Sequence, residues 1–216
     1  MSRSPERDAQ KVAATKRKLL QAAFRLFAER TIEAVTMTEV AEAAGYGVAT
    51  VYRYYRSKPI LVVETATRVW EQYLEENGRR FSAENRTAAQ EYERYLEAFL
   101  DLYRNYRDLL RFNQFFNAYV LTADVSPEQM TPYMDLIRDL KQRFSKTYEK
   151  GKADGTLRTD VPEQEIFSAT MHLMLAAVTR YAAGLVYVEG PDPAQELELM
   201  KALMMRHYTN IPDSNR

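Results

Sequence analysis

The chain has 216 residues, 30 Lys/Arg against 30 Asp/Glu, no cysteine and a hydrophobic content of 46%. That length allows one domain or two small ones, and zero cysteine excludes a disulfide scaffold and thiolate metal sites. No run of about 18 apolar residues occurs, which excludes a spanning helix. The charged start MSRSPERDAQKVAATKRK lacks the apolar segment of a signal peptide, so a cytoplasmic protein is expected.

The charge is unevenly placed. Residues 1–60 hold 11 Lys/Arg and 6 Asp/Glu, a net of +5, and the remainder carries the balancing −5. A basic front on an acidic body is the electrostatic pattern of a chain that meets a polyanion.

In chain order, almost every segment has helical periodicity and none sustains the alternation of a strand. Residues 1–10 are expected to fray. A first helix is predicted from Gln10 to Arg30, with Leu20, Phe24 and Phe27 on one face. Thr36 and Glu39 form a capping box that starts a second helix, and Gly45 suits the left-handed turn beyond Ala44. Val48 to Tyr54 forms a short third helix. Ser57 opens a fourth, with Lys58 and Pro59 in its first turn, ending near Gly78.

Further helices are predicted over Ala88–Asn105 and Arg107–Leu121. Ser126-Pro127-Glu128-Gln129 combines a cap, a helix-start proline and a box partner. The helix it opens is expected to break or kink at Pro132 and to run to Lys150. Gly151 to Asp160 is expected as a loop. An eighth helix follows to about Val188, broken by Glu189-Gly190-Pro191, and Asp192-Pro193 opens a ninth that ends near Tyr208. The fold class is therefore all-α with about nine helices.

Thr36 to Lys58, TMTEVAEAAGYGVATVYRYYRSK, carries the chemistry. Two short helices around a glycine-containing turn have the shape of a helix-turn-helix, whose second helix enters the DNA major groove. Val48, Ala49 and Thr50 are small where a helix start meets base edges. Tyr52 and Tyr54 offer hydroxyl donors, Arg53 reaches a guanine edge or the backbone, and Lys58 stands at a helix N-terminus that favours phosphate. Thr36, Thr38, Tyr46 and Gly47 complete the candidate DNA-binding set.

The run Leu20 to Arg30 (LQAAFRLFAER), Thr36 to Gly45, Thr50 to Tyr55 (TVYRYY) and Ser57-Lys58 resembles the TetR family of bacterial regulators across about residues 16–62. The resemblance implies a DNA-binding domain over residues 1–57 and a helical effector-binding and dimerisation domain over residues 58–216. It implies a homodimer whose last two helices form a four-helix bundle, a pseudo-palindromic operator, and repression released by a small molecule. Three positions depart from the family pattern. Thr31 stands where glycine is usual, Gly47 replaces the usual polar cap of the third helix, and Val48 with Ala49 shift base readout toward thymine methyls and DNA shape.

In the body, aromatic and methionine side chains suit a hydrophobic or aromatic effector. Trp70, Tyr73, Phe99, Tyr103, Phe112, Phe116, Met171 and Met174 are the candidate lining, with Asn113, Asn117 and His172 as polar anchors. The dimer face is expected to include Ile166, Thr170, Leu173, Ala177, Tyr181, Leu199, Met200 and Leu203. The enzyme alternative lacks support. His172 and His207 fall in no zinc or di-iron spacing, no phosphate-binding loop occurs, and Gly45-Tyr46-Gly47 is no dinucleotide fingerprint. No cofactor or metal is expected. A DNA-binding regulator without an effector, or an activator, shares every N-terminal feature.

Overall fold

The computed structural model describes residues 5–80, 86–184 and 192–210. Among these, nine helices follow in order: α1 (Pro5–Glu29), α2 (Met37–Ala44), α3 (Val48–Tyr54), α4 (Lys58–Arg80), α5 (Ala88–Asn105), α6 (Arg107–Thr122), α7 (Pro127–Asp154), α8 (Glu163–Ala182) and α9 (Pro193–Tyr208). The only extended pairing among the described residues is a single antiparallel bridge between Leu157 and Thr209. The helices group into two compact units, Met1–Tyr73 with Arg111–Asp135, and Leu74–Leu110 with Leu136–Arg216.

In the first unit, α1 packs on α2 and α2 on α3. Leu19, Ala23 and Phe27 of α1, Val40 of α2, and Val51 and Tyr55 at α3 are buried together with Leu61 and Val62 of α4. Each such large apolar side chain contributes about 1.5–3 kcal/mol by leaving water. A file of aromatic rings extends this core. Phe112 stacks on Phe27 at 6.4 Å, meets Phe24 edge-on at 5.6 Å, and is followed by Phe116 at 6.1 Å, which faces Tyr133 at 4.9 Å.

In the second unit, α5 packs against both α8 and α9, and those two pack on each other. Tyr92 of α5 is fully buried, and its hydroxyl shares a 2.8 Å hydrogen bond with Thr170 Oγ1. The start of α5 is tied to the end of α7. Thr87 and Gln90 form a capping box, while Asp154 Oδ2 accepts the Ala88 amide at 2.7 Å and Thr156 Oγ1 accepts the Ala89 amide at 3.0 Å. Three of the amides left unpaired by the first helical turn are thus satisfied by side chains.

Five boundaries differ from the sequence expectation. α4 passes through Gly78 and ends at Arg80, since a glycine weakens a helix interior without breaking it. The first helix begins at Pro5 rather than Gln10. α7 passes through Pro132 without a break, although the proline cannot donate to the Glu128 carbonyl and crowds it. α7 also continues beyond Gly151 to Asp154, because the glycine that turns left-handed is Gly155, with φ of 69°. α8 ends at Ala182, followed by Gly184 at φ of 73°. The expected breaker Glu189-Gly190-Pro191 lies outside the described residues.

Candidate nucleic-acid interface

The geometry of the helix-turn-helix is fixed by its ends. Thr36 Oγ1 accepts the Glu39 amide at 3.2 Å, and Glu39 Oε2 accepts the Thr36 amide at 2.7 Å. Arg30 donates to Glu39 Oε1 at 2.7 Å and to the Ala34 carbonyl at 2.7 Å, so one guanidinium joins the end of α1 to the start of α2. The Arg30 hydrogen bond, with the amide and hydroxyl of Thr36, holds the Glu39 carboxyl down to about 2.

At the other end of α2, Gly45 has φ of 76°. Its amide donates to the Glu42 carbonyl at 3.0 Å, and the Tyr46 amide donates to the Ala41 carbonyl at 2.9 Å. This is a Schellman turn, and glycine enters its left-handed position without a Cβ penalty. Gly47 then caps α3 in an extended conformation with no side-chain bond. Within the turn itself, backbone hydrogen bonds set the direction of α3.

α3 buries Val51 and, just past its end, Tyr55. Its other side is open: Val48, Ala49, Tyr52 and Arg53 are exposed, with Tyr52 at 50%, and Thr50 and Tyr54 are half-buried. Thr36, Thr38 and Gly47 are exposed and Tyr46 is half-buried. Arg53 lies over the Tyr54 ring at 4.9 Å and donates to its hydroxyl at 3.3 Å, so the two act as one polar unit. Lys58 is half-buried and donates to the Glu33 carbonyl at 3.1 Å, which fixes the start of α4 to the turn after α1. Burial lowers its pKa, against the pull of Glu33 and Glu39. Sequence spacing alone did not reveal Lys18, whose ammonium lies 6.0 Å from the Tyr46 ring.

The candidate effector residues divide between the two units. Trp70, Tyr73, Phe112, Asn113, Phe116 and Asn117 belong to the first, and Phe99, Tyr103, Met171, His172 and Met174 to the second. Phe112 and Phe116 are core, stacked in the file that starts at Phe27. Asn117 and His172 are exposed, so neither is a buried polar anchor; Asn113, one turn before Asn117, is buried. Trp70 is buried, meets Tyr73 edge-on at 5.9 Å, and its Nε1 has no hydrogen-bond partner among the described residues. Phe99, Tyr103 and Met174 are buried and Met171 is half-buried.

The expected dimer face also divides. Ile166 and Thr170 point inward with Met174 and Val178, which corrects their assignment to the interface. Leu173, Leu199 and Leu203 are large apolar side chains left at 59%, 60% and 57% exposure. Ala177, Tyr181 and Met200 are half-buried, and Tyr181 hydrogen-bonds Glu196.

Comparison with known proteins places this geometry. Residues 19–65 match the bacterial regulatory proteins of the tetR family. The match covers the helix-turn-helix and the residues that flank it. Proteins of this family are DNA-binding transcription factors and not enzymes. A protein from Saccharomonospora viridis solved in complex with choline has a similar fold, with TM-score 0.75 and 18% identity over 92% of this chain and 100% of that one. The transcriptional regulator FadR from Bacillus subtilis, solved with stearoyl-CoA, gives TM-score 0.70 and 15% identity over 87% and 96%. The fatty acid degradation regulator FadR from Bacillus halodurans gives 0.68 and 12% over 95% and 97%. At these identities the likeness establishes the TetR fold. A comparison with curated protein sequences finds no match. No helix among the described residues is long and apolar enough to cross a membrane.

Proposed function

We propose that this protein is a TetR-family regulator, a ligand-responsive repressor that binds a pseudo-palindromic operator as a homodimer. The observation that carries the reading is the open side of α3. Val48, Ala49, Tyr52 and Arg53 stay exposed on a helix that buries Val51 and, just past its end, Tyr55. Such a side, small at its start and bearing donors beyond, is what a major-groove reader needs.

Dimerisation is supported by Leu173 on α8 and by Leu199 and Leu203 on α9, three leucines left more than half exposed among the described residues. A two-fold dimer would carry two copies of α3 to half-sites about 34–36 Å apart. Control by a small molecule is supported by Trp70, whose indole N–H is buried without a partner. Leaving such a donor unmade costs about 1–3 kcal/mol, and an apolar effector with an acceptor atom would recover it. Two proteins of this fold hold organic ligands, choline in one and stearoyl-CoA in the other. α4 begins at Lys58 and continues through Trp70 and Tyr73, so an effector that favours one setting of α4 would shift the spacing of the two α3 copies and weaken operator binding.

The test is selection of duplexes from a random pool by the purified protein, followed by titration across a salt series. Sequence-selective, salt-steep binding at two protomers per site supports the reading. Binding no tighter than to scrambled DNA overturns it. Compounds that raise the melting temperature are then tested for release of the duplex, with Trp70→Phe expected to weaken their effect.

A further inference from the structure

Beyond Pro5, the first two turns of α1 bury nothing. Residues 6–13 are all exposed, although the helix is continuous from Pro5 to Glu29. Helical backbone with no packing to sustain it is marginal on its own; here it is extended from the buried stretch that starts at Leu19. Such a projection has no role in holding the fold together.

Its charges are ordered. Arg7, Lys11 and Lys18 are exposed and, at about 100° per residue, fall within an arc of about 40°. Glu6 and Asp8 leave the helix about 120° and 80° from the centre of that stripe. The stripe spans about 16 Å along the axis. None of its three cations makes an ion pair among the described residues, whereas Lys16, on another side of the same helix, pairs with Glu64 at 3.4 Å. The inner end is anchored by geometry: Lys18 sits 6.0 Å from the ring of Tyr46, the residue between the α2 cap Gly45 and the α3 cap Gly47. The stripe thus leads to the turn that presents α3. Val12 is the only large apolar side chain along the projection, so it lacks the apolar face that a membrane-surface helix needs.

From this arrangement we infer that the α1 projection is a second DNA-contacting element, with Arg7 and Lys11 reaching phosphates that flank the half-site read by α3. The inference rests on the DNA-binding reading above. Phosphate contacts of this kind set register and affinity without carrying base identity, and each neutralised phosphate adds about 0.9 to the steepness of the salt dependence.

The experiment uses the full chain and an operator duplex selected from the random pool, made in a long form and in a form trimmed to the half-sites. The double substitution Arg7→Ala with Lys11→Ala is compared with Arg17→Ala, which removes one cation from another side of the helix; alanine preserves helicity in both. On the long duplex, the double variant is expected to lose about 1.8 in salt slope per bound protomer while its preference over scrambled DNA is unchanged. Arg17→Ala is expected to match the parent. On the trimmed duplex, the parent is expected to fall to the slope of the double variant. A selective parent with an unchanged slope in the double variant overturns the inference and leaves the DNA-binding reading standing. A parent with no selective binding overturns both.

Discussion

Gly151 and Leu157 approach so closely that a Cβ on Gly151 would lie 2.8 Å from Leu157 Cβ, with Ala88 Cβ at 3.5 Å. The glycine is helical, buried and four residues ahead of the left-handed Gly155. It therefore serves close approach rather than chain reversal. It lets the end of α7, the start of α5 and the segment bridged to Thr209 meet at one place.

Gly151→Ala tests that contact. Alanine gains about 1 kcal/mol over glycine in a helix interior, so a site with room would be stabilised. Leu157 Cβ is no flexible tip, since its backbone pairs with Thr209, and overpacking costs about 1–3 kcal/mol. The expected outcome is net destabilisation in urea unfolding. A rise in stability would show that the segment yields.

Two buried tyrosines make opposite predictions for the same substitution. Tyr55 is fully buried and its hydroxyl has no partner among the described residues; burial, with Glu64 adding to it, raises its pKa. Tyr148 donates to the carbonyls of Thr159 at 3.1 Å and Val161 at 2.8 Å. Tyr55→Phe is expected to leave stability within about 0.5 kcal/mol or to raise it, and Tyr148→Phe to cost about 1–3 kcal/mol by orphaning carbonyls. Chemical denaturation of both variants, side by side, checks the contrast.

What the sequence made legible was local. Thr36 with Glu39, Ser126 with Gln129, and Asp192 before Pro193 are caps whose partners lie within three residues, and each is formed. The helix-turn-helix was readable for the same reason. What it concealed depends on distant partners. Nothing near Phe112 indicates that it stacks on Phe27 of α1, and nothing near Gly151 indicates that Leu157 and Ala88 crowd it. The inward side of α8 was misassigned because Ile166, Thr170 and Leu173 all suit an apolar contact. Only the position of α5, through Tyr92 and Thr170, separates the first two from Leu173.

The Arg30–Glu39 contact makes stability depend on acid. The Glu39 carboxyl is held at about 2 in the folded chain against 4.5 for a free one. A carboxyl depressed on folding stabilises above its unfolded value and loses that contribution as pH falls toward its folded value. Glu39→Gln keeps a capping side chain and removes the charge. The variant is expected to be less stable than the parent at pH 7, with a gap that narrows steadily below pH 4.5. Urea unfolding at pH 7, 4 and 3 measures it; a gap of constant size would mean that the charge contributes nothing.

The exposed leucines make the sharpest prediction for assembly. Leu173 on α8 and Leu199 and Leu203 on α9 remain more than half exposed, while the opposite sides of the same helices hold Met174, Val178, Leu197 and Met204 buried. A helix pair apolar on both sides is a helix pair with two partners: α5 covers one side, and a second copy is expected to cover the other. The parent should therefore sediment at twice its 25.1 kDa chain mass. Leu203→Glu places a carboxylate, and in a two-fold contact its symmetry mate, in that apolar seam. It should dissociate the dimer, and with it operator binding, while the helical signal of the single chain persists. A variant that stays dimeric would move the interface away from α8 and α9.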